Sequence, residues 1–419
     1  MGRRNHRERP RIALFCGGRG SSSIIRALLD TSSCQLTLLI NGFDDGHSTG
    51  WIRRLVPEML GPSDFRKNLV TSLDAFLRSE RALQGLLEFR LGAESLLFRS
   101  HGLEEFVTHG DFMRLEPPLA DLVNGVEPAV CTPLRVYLRH ALEQLRSRAP
   151  QLAEMAVEVA IGNLVLAGCF LQAGDFNSAL RRFGNLGRSR AQIENVCEGT
   201  SAWLVALKDN GELLTSESDI VGPQSAVPIR ELYLLPQRLD AAQAQVLAPL
   251  PLAAKQAWLG ARRVVARPSN AALAALARAD LLLFGPGTQH SSLLPSYSIL
   301  ADAIGSSPAR AKVLVVNLEP DLDDPGGSAA RLVDRALCFI GDPENRRRSI
   351  THALVEVSNP EAGGLAAGSL AGLNRWRGIT LMWGEWRDRC GANRHDGVRV
   401  ACELLALLQR REVQCAPVP

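Results

Sequence analysis

Two short, mainly apolar runs near the start of the chain each end in a glycine-rich loop. Ile12–Cys16 leads into a loop at 17–20, and Gln35–Ile40 leads into a loop at 41–50. A helical periodicity over residues 24–29 separates the two runs. This pattern predicts two parallel strands joined by a helix. Both loops would then lie at the same edge of an open sheet, where such sheets bind ligands.

The first loop has the composition of a phosphate-binding turn. Glycines let the backbone approach an anion closely, and the helix that follows offers N–H groups and the positive end of its dipole. We therefore predict a phosphate cradle at Gly17, Gly18, Arg19, Gly20 and Ser21. The loop lacks both the third glycine of G-x-G-x-x-G and the GK[ST] ending of a P-loop. A strand-to-helix turn that only requires glycine stays open as an alternative.

The second loop carries two adjacent carboxylates, Asp44 and Asp45, and a third carboxylate follows at Asp64. Mg²⁺ is commonly held by one or two carboxylates together with substrate phosphates, so these residues form a candidate metal site. Arg53 adds a cation that can pair with phosphate. A solvated turn for the Asp pair and a helix cap for Asp64 are the simpler alternatives.

The rest of the chain alternates between helical and strand-like segments. Helical periodicity dominates residues 65–186, a hairpin pattern occupies residues 200–214, and apolar runs return at Leu281–Phe284 and Val313–Val316. The alternation predicts an α/β fold with a Rossmann-like, doubly wound, mostly parallel sheet and a helical insertion. We expect one domain over residues 11–412 and a disordered basic tail over residues 1–10.

Several motifs, in this order along the chain, resemble those of one protein family. They are Gly17-Gly18-x-Gly20, Asp44-Asp45-Gly46-x-Ser48-x-Gly50 with Arg53, Gly61-Pro62-Ser63-Asp64-x-Arg66-x-Asn68, Gly162-Asn163-Leu164 and Gly285-Pro286-Gly287-Thr288. Asn317 and His395-Asp396 extend the similarity, which spans about residues 11–410. The chain resembles the CofD-related family, which contains 2-phospho-L-lactate transferase and the gluconeogenesis factor YvcK.

The resemblance implies Mg²⁺-dependent transfer of a phosphate-linked group from a nucleoside diphosphate donor to an acceptor hydroxyl. In that interpretation Asp45 and Asp64 are the catalytic metal ligands, and Asp44 is a supporting ligand. The residues implied to contact the nucleotide or its phosphates are Gly17, Gly18, Arg19, Gly20, Ser21, Arg53, Asn163, Gly285, Gly287 and Thr288.

Two other functions stay open. The regulator branch of the family implies binding of a nucleotide or nucleotide sugar without turnover. A Rossmann oxidoreductase, with Asp44 or Asp45 on the ribose, is a third hypothesis. The missing third glycine and the block at 60–69 count against it.

The chain also departs from the family pattern. Arg19 stands where the family has a small residue, and it either adds a cation to the phosphate loop or obstructs it. We expect His290 to be a surface residue, with an acid–base role as the alternative. We expect Glu319, Asp321, Asp323 and Asp324 to form a solvated loop, with a second cation site as the alternative. We therefore expect the substrate pocket to have diverged, and we do not expect this chain to have the deazaflavin-coenzyme activity of the family.

The overall pattern is similar to an uncharacterised bacterial branch of the family. That branch is associated with HPr-kinase-related and ATP-grasp proteins in a gene system called GAK.

Composition argues against nucleic acid and membrane as partners. The chain has 43 arginines and only 4 lysines, but its net charge is +3 and only 5% of its residues are aromatic. Nucleic-acid binders concentrate basic and aromatic residues on one face, so we expect a nucleoside diphosphate-linked small molecule and no nucleic acid. Apolar stretches are too short to span a membrane, which favours a cytoplasmic protein without a membrane partner. Tryptophans at 376, 383 and 386 are expected in the core or at an oligomer interface, which allows a homodimer.

Overall fold

The computed structural model describes residues 9–31, 33–92, 101–152, 158–357, 367–390 and 393–409. Its strands are β1 Arg11–Phe15, β2 Gln35–Ile40, β3 Arg90–Leu91, β4 Val159–Ala160, β5 Gln192–Asn195, β6 Trp203–Lys208, β7 Leu213–Leu214, β8 Ile229–Leu235, β9 Leu281–Phe284, β10 Ala311–Val315, β11 His352–Glu356, β12 Arg375–Trp376 and β13 Ile379–Gly384. Its α-helices are Ser22–Asp30, His47–Leu55, Ser63–Ser72, Arg78–Glu88, His101–His109, Pro117–Gly125, Pro128–Leu152, Ile161–Ala173, Phe176–Gly184, Glu217–Val221, Ala241–Leu247, Leu252–Gly260, Asn270–Arg278, Leu294–Ile299, Ala301–Ser306, Ala329–Phe339 and Gly397–Gln409. A π-helical turn lies at Gln289–Leu293 and a 3₁₀ turn at Gly368–Leu370.

Within the described residues, eight strands form the main sheet in the order β12-β13-β11-β10-β9-β1-β2-β5. Neighbouring strands are parallel except β12 and β13, which are antiparallel. The chain builds outward from β1 to β2 and β5 on one side, and later from β9 to β10, β11 and β13 on the other side. This arrangement confirms the predicted α/β fold with a mostly parallel, doubly wound sheet.

The centre of the sheet is apolar on both faces, as expected for parallel strands covered by helices. Four of the five residues of β1 and all of β9 are buried. Phe15 stacks on Phe284 with ring centroids 5.2 Å apart, and Tyr297 packs edge-on against both rings. Phe15 and Phe284 end the two strands that lead into the first glycine loop, at 17–20, and the second glycine loop, at 285–288.

Helices occupy most of the chain between Ser63 and Gly184, where the helical insertion was predicted. The antiparallel pair β3 and β4 interrupts them. A Cβ atom at Gly168 would lie 1.8 Å from the carbonyl oxygen of Tyr137, so two long helices of this layer cross almost in backbone contact. Glycine at this position is therefore required for the packing.

A second, three-stranded sheet in the order β7-β6-β8 is antiparallel. The predicted hairpin at 200–214 is its β6–β7 unit, and Gly211 turns the chain with a φ of +84°. One face of β6 and β8 packs with residues of 239–259 in a small core of its own. The helix Glu217–Val221 follows the hairpin, and its first residue contacts the loop that follows β2.

Two predictions are not tested by the fold. The tail predicted at 1–10 lies outside the described residues except for 9 and 10, and the domain limits 11–412 stay a prediction. None of the helices in the described part of the chain has both the length and the apolar character needed to cross a membrane.

Candidate functional site

A cavity of about 340 Å³ opens at the carboxyl end of the main sheet. It lies at the junction of β1 and β9, where the order of strand addition reverses. Open α/β sheets bind their ligands at this point. The residues that line it are Gly18, Arg19, Gly20, Asp44, Asp64, Lys67, Glu217, Pro286, Gly287, Thr288, Ser292, Asn317, Leu318, Glu319, Pro320, Asp321, Asn393, Arg394 and His395.

The two glycine loops touch each other beside the cavity. A Cβ atom at Gly20 would lie 2.6 Å from the carbonyl oxygen of Pro286 and 2.8 Å from the Cα of Gly287. Ser21 fixes this contact, because its Oγ donates a 3.1 Å hydrogen bond to the Pro286 oxygen. The predicted loop residues that reach the cavity wall are Gly18, Arg19, Gly20, Gly287 and Thr288.

Gly17 and Gly285 lie behind that wall. A Cβ atom at Gly17 would lie 2.4 Å from the Cβ of Ser292, and one at Gly285 would lie 2.4 Å from the Oγ of Ser21. These glycines allow the loops to pack together. Their contact with a ligand stays a prediction.

Two of the predicted carboxylates, Asp44 and Asp64, face the cavity. Asp44 accepts hydrogen bonds from the backbone N–H of Gly46 at 2.8 Å and from the hydroxyl of Thr49 at 3.1 Å. Asp64 lies in the first turn of the helix Ser63–Ser72 without capping it, and its carboxylate pairs with the Nζ of Lys67 at 2.9 Å. Although burial alone lowers the pKa of Lys67, the Asp64 carboxylate outweighs burial and raises it. Lys67 is therefore a cation at the cavity wall.

Asp45, adjacent to Asp44, points away from the cavity. Its Oδ1 accepts the backbone N–H of Glu217 at 2.6 Å, at the start of the helix Glu217–Val221, and its Oδ2 lies 3.9 Å from the Nε of Arg238. Burial raises the pKa of Asp45, while the Glu217 N–H and nearby arginines oppose that rise. Asp45 thus holds the helix that carries Glu217 into the cavity wall.

Glu217 is a site residue that the sequence interpretation missed. Burial, followed by repulsion from Asp44 and a hydrogen bond with it, raises the pKa of Glu217 to about 9. Burial and repulsion from Asp64 also raise the pKa of Asp44, while the proton on Glu217 lowers it. Ser216-x-x-Asp219 is a capping box that marks the start of this helix, but a local signal does not reveal where the helix docks.

Asn163 is fully buried and reaches Asp44 through two hydroxyls. Its Nδ2 donates to the Oγ of Ser63 at 3.1 Å, Ser63 and Thr49 share a 2.5 Å hydrogen bond, and Thr49 donates to Asp44. Because an amide N–H can only donate and a carboxylate can only accept, the chain of donors points toward Asp44. Asn163 therefore orients Asp44, and its predicted ligand contact stays a prediction.

Arg53 is also outside the cavity wall. Its guanidinium lies 3.8 Å from the ring centroid of Trp203 and donates to the carbonyl oxygens of Ala202 at 2.5 Å and of Phe43 and Asp44 at 3.4 Å each. These contacts tie the small sheet to the carboxylate-bearing loop at 41–50. The phosphate contact predicted for Arg53 stays a prediction, and this geometry gives the side chain a structural position.

The far end of the cavity is acidic. Asn317 joins it to the second glycine loop, since its amide bonds with both the N–H and the carbonyl of Gly287 and donates to Asp321 at 2.7 Å. Burial and repulsion from neighbouring carboxylates raise the pKa of Asp321 to about 8. Glu319 accepts from Arg387 at 2.9 Å and from Asn393 at 2.5 Å. Two members of the loop predicted to be solvated therefore line the cavity.

The surface position expected for His290 is wrong. The side chain is fully buried in the π-helical turn, and its Nδ1 lies 2.9 Å from the Oδ2 of Asp323, which is buried as well. Asp324 pairs with Arg331 and Arg335. The solvated-loop expectation fails for these two aspartates, because Asp323 meets His290 from a separate segment and Asp324 pairs with two arginines of the following helix Ala329–Phe339. Sequence spacing gives no signal for the pairing of Asp323 with His290.

The carboxylates of the cavity fit a Mg²⁺ ion whose coordination shell is completed by a bound ligand. Across the described ranges, no group of three or more His, Cys, Asp or Glu side chains is arranged to hold a metal ion. Mg²⁺ needs only one or two carboxylates when substrate phosphates and water complete its shell. Asp44 and Asp64 meet that requirement, and their mutual repulsion would be relieved by a cation.

Comparison with known proteins decides the family. A family model described as 2-phospho-L-lactate transferase CofD matches residues 12–367. The chain belongs to the CofD family. Its assignment to the GAK-associated branch stays a prediction.

Two proteins similar to this chain are named gluconeogenesis factors. A putative gluconeogenesis factor of Thermotoga maritima is 23% identical over 74% of this chain and 68% of its own length. The gluconeogenesis factor of Bacillus subtilis is 22% identical over the same shares of the two chains.

The fold of this CofD-family chain is similar to that of a solved relative. The crystal structure of a UPF0052-family protein from Bacillus halodurans has a TM-score of 0.63 and 19% sequence identity. The match covers 95% of this chain and 99% of that one. At 19% identity the likeness shows the fold alone, and the chemistry is inferred from the residues of the site.

Proposed function

We propose that the cavity binds a nucleoside diphosphate-linked small molecule together with Mg²⁺. We further propose that the protein transfers a phosphate-linked group from it to an acceptor hydroxyl. The observation that carries the proposal is the meeting of Asp44, Asp64, Lys67 and two glycine loops at the point where strand order reverses. Phosphates, a cation that screens them and backbone donors are the components that such a transfer requires.

The glycine loop supplies the anion site. A Cβ atom at Gly18 would lie 3.0 Å from both Asp64 Oδ1 and Lys67 Nζ, so the loop passes close to the side chains that would hold the metal and the phosphate. The helix Ser22–Asp30 starts at the end of the loop and directs its N–H groups toward it. Lys67 adds positive charge at the cavity wall, and Arg19 also lines the cavity while its guanidinium pairs with Glu88 at 2.5 Å.

Asp44 and Asp64 are the residues that would hold Mg²⁺. The sequence had instead predicted Asp45 and Asp64 as the main metal ligands, with Asp44 as a supporting ligand. When bound, Mg²⁺ neutralises charge on the transferring phosphate oxygens. Asp45 supports the site from behind by holding the helix that carries Glu217. Asn163, Ser63 and Thr49 orient Asp44 through the buried hydrogen-bond chain.

In the proposed transfer, the acceptor oxygen bonds to phosphorus while the bond from phosphorus to the oxygen of the nucleoside monophosphate breaks. The monophosphate leaves with that oxygen, and the hydroxyl proton is released to water. The protein's contribution is positioning and charge neutralisation, as in other phosphoryl-type transfers. The acidic far end, with Glu319 and Asp321, favours a ligand portion that offers hydrogen-bond donors.

A second candidate function is a nucleotide-sugar sensor that does not turn its ligand over. It is favoured by the relatives named gluconeogenesis factors. The same cavity would serve both functions, because binding requires the same carboxylates and glycine loops. Release of a nucleoside monophosphate distinguishes the two.

The test is calorimetry and thermal-shift measurement with GDP, GTP, a UDP-sugar and NAD, each with and without Mg²⁺. We expect Mg²⁺-dependent binding that weakens by about tenfold or more in Asp44→Asn and in Asp64→Asn, because each variant removes a metal ligand and keeps the side-chain size. Asp45→Asn is the matched control, and its effect should be smaller. Chromatography of the bound mixture with candidate alcohols then detects nucleoside monophosphate.

Three results would contradict the proposal. Nucleotide binding that is equal without metal removes the role of the carboxylates. Binding that is sensitive to Asp45→Asn but not to Asp44→Asn restores the sequence-based assignment. A response to NAD alone favours the oxidoreductase hypothesis.

A further inference from the structure

A second cavity lies at the opposite, amino-terminal edge of the main sheet. Its volume is about 480 Å³, larger than that of the first cavity. It runs between the beginnings of β1, β2 and β5 and the last turn of the helix Asn270–Arg278. The residues that line it are Arg9, Arg11, Ile12, Ala13, Cys34, Gln35, Leu36, Thr37, Ser189, Arg190, Ala191, Gln192, Ala275, Arg278 and Ala279.

The charged side chains that line this cavity are all basic, and two carboxylates just beyond the lining, Asp30 and Asp280, bond to Arg190 and to the backbone N–H of Arg11. The described residues that line it include four arginines, Arg9, Arg11, Arg190 and Arg278, and no aspartate or glutamate. The first cavity, by contrast, is lined by five acidic side chains, Asp44, Asp64, Glu217, Glu319 and Asp321, of which Glu217 and Asp321 have raised pKa values. A concave surface lined by one sign of charge concentrates counter-ions of the other sign.

Two of the arginines are anchored by contacts that leave donors available. Arg190 pairs with Asp30 at 3.1 Å and donates to the carbonyl oxygen of Leu29, and the Nε of Arg278 donates to the carbonyl oxygen of Ala274 at 3.1 Å. A guanidinium has five N–H donors, so each retains donors for a ligand. Anchored guanidinium groups lose less entropy on binding a planar oxyanion, which they can hold in a bidentate manner.

The neutral residues of the cavity are compatible with an anion. The Oγ1 of Thr37 donates to the Oε1 of Gln192 at 3.4 Å, which leaves the amide N–H groups of Gln192 as donors. Burial raises the pKa of Cys34 to about 11 despite the opposing influence of Arg9, so this thiol adds no negative charge.

We propose that this cavity is a second binding site, for a small molecule that carries two or more negative charges on phosphate or carboxylate groups. The site is separate from the nucleotide cavity. Strand β1 starts at one cavity and ends at the other, so its five residues place the two about 15 Å apart. The proposal does not depend on the function proposed for the first cavity.

The test is calorimetric titration with inorganic pyrophosphate, and separately with citrate, at constant ionic strength and without divalent cations. We expect pyrophosphate to bind the wild type, and Arg190→Gln/Arg278→Gln to weaken that binding by about tenfold or more. Arg262→Gln/Arg346→Gln is the charge-matched control at exposed positions and should bind as the wild type does. Lys67→Met removes a cation from the first cavity and should leave the titration unchanged.

Arg190 also contacts the end of the helix Ser22–Asp30, so Arg278→Gln alone serves as a variant with little risk to folding. It should weaken pyrophosphate binding by about threefold to tenfold. The proposal is overturned if pyrophosphate and citrate both fail to bind the wild type, if the Arg190 and Arg278 variants bind unchanged, or if Lys67→Met abolishes binding. Citrate binding with the same arginine dependence extends the ligand class to polycarboxylates, and its absence restricts the class to phosphates.

Discussion

His395 is a neutral histidine at the wall of the nucleotide cavity. Its Nε2–H donates to the carbonyl oxygen of Val316 at 3.1 Å, and burial lowers its pKa to about 4. Since the unfolded chain binds a proton near pH 6.5, the free energy of unfolding should fall by up to about 3 kcal/mol as the pH drops from about 6.5 to 4. Urea unfolding of wild type and His395→Gln across that range measures the difference. Equal losses of stability in the two proteins would show that His395 is not the titrating group.

Single residues also show where sequence reasoning stops. Asp44 and Asp45 are adjacent, and only their backbone geometry decides that Asp44 faces the cavity while Asp45 holds a helix. Glu217 reaches the site through a helix that lies more than 150 residues further along the chain. His290 is buried because Asp323 meets it across the fold. Such long-range partners leave no local pattern to read.

At the scale of elements, the contact between the two glycine loops sets the shape of the cavity. Gly20→Ala would force a Cβ against backbone atoms of Pro286 and Gly287, so we expect a loss of about 1–3 kcal/mol in the free energy of unfolding. Gly184, at the end of a helix, has open space around its Cβ position. Gly184→Ala should therefore be neutral or slightly stabilising. Equal unfolding midpoints for the two variants would argue against the close loop contact.

The small sheet is tied to the main sheet by Arg53. Arg53→Met keeps the apolar stem but leaves the Ala202 carbonyl without its donor and removes the stacking on Trp203. We expect a loss of about 2–4 kcal/mol in stability. Arg53→Lys should restore only part of it, because an ammonium cannot reproduce the planar contact. Denaturant unfolding of both variants tests this, with the exposed Arg26→Met as control. Full stability of Arg53→Met would show that the contact is dispensable.

Elements were the part of the fold that the sequence predicted best. The runs Gln35–Ile40 and Leu281–Phe284 coincide with β2 and β9, because a buried parallel strand is a continuous apolar segment between turn residues. The hairpin was visible in its Asn-Gly turn. The docking of β8 and of the helix Glu217–Val221 was not visible, since both depend on contacts outside their own segments.

For the whole molecule, two separate cores imply two levels of stability. One face of the small sheet packs on a cluster of its own, formed by Val205, Leu207, Tyr233, Leu235, Leu239, Leu247 and Leu259, while its other face and the strands β1 and β9 lie in the main core. A small core loses less buried area on opening, so β6 and β8 should open at lower free energy than β1 and β9. Native-state hydrogen exchange measures both. Identical opening free energies would indicate a single cooperative unit.

The lysines of this arginine-rich chain are placed unevenly. Lys208, Lys255 and Lys312 are buried, while the side chain of Lys67 is 27% exposed beside the first glycine loop. Amine-directed reagents therefore meet one accessible side-chain amine, and it stands where a ligand phosphate would lie. Because Asp64 keeps that amine protonated, labelling requires alkaline conditions. Covalent labelling followed by mass spectrometry could thus report occupancy of the cavity from a single peptide, without altering the sequence.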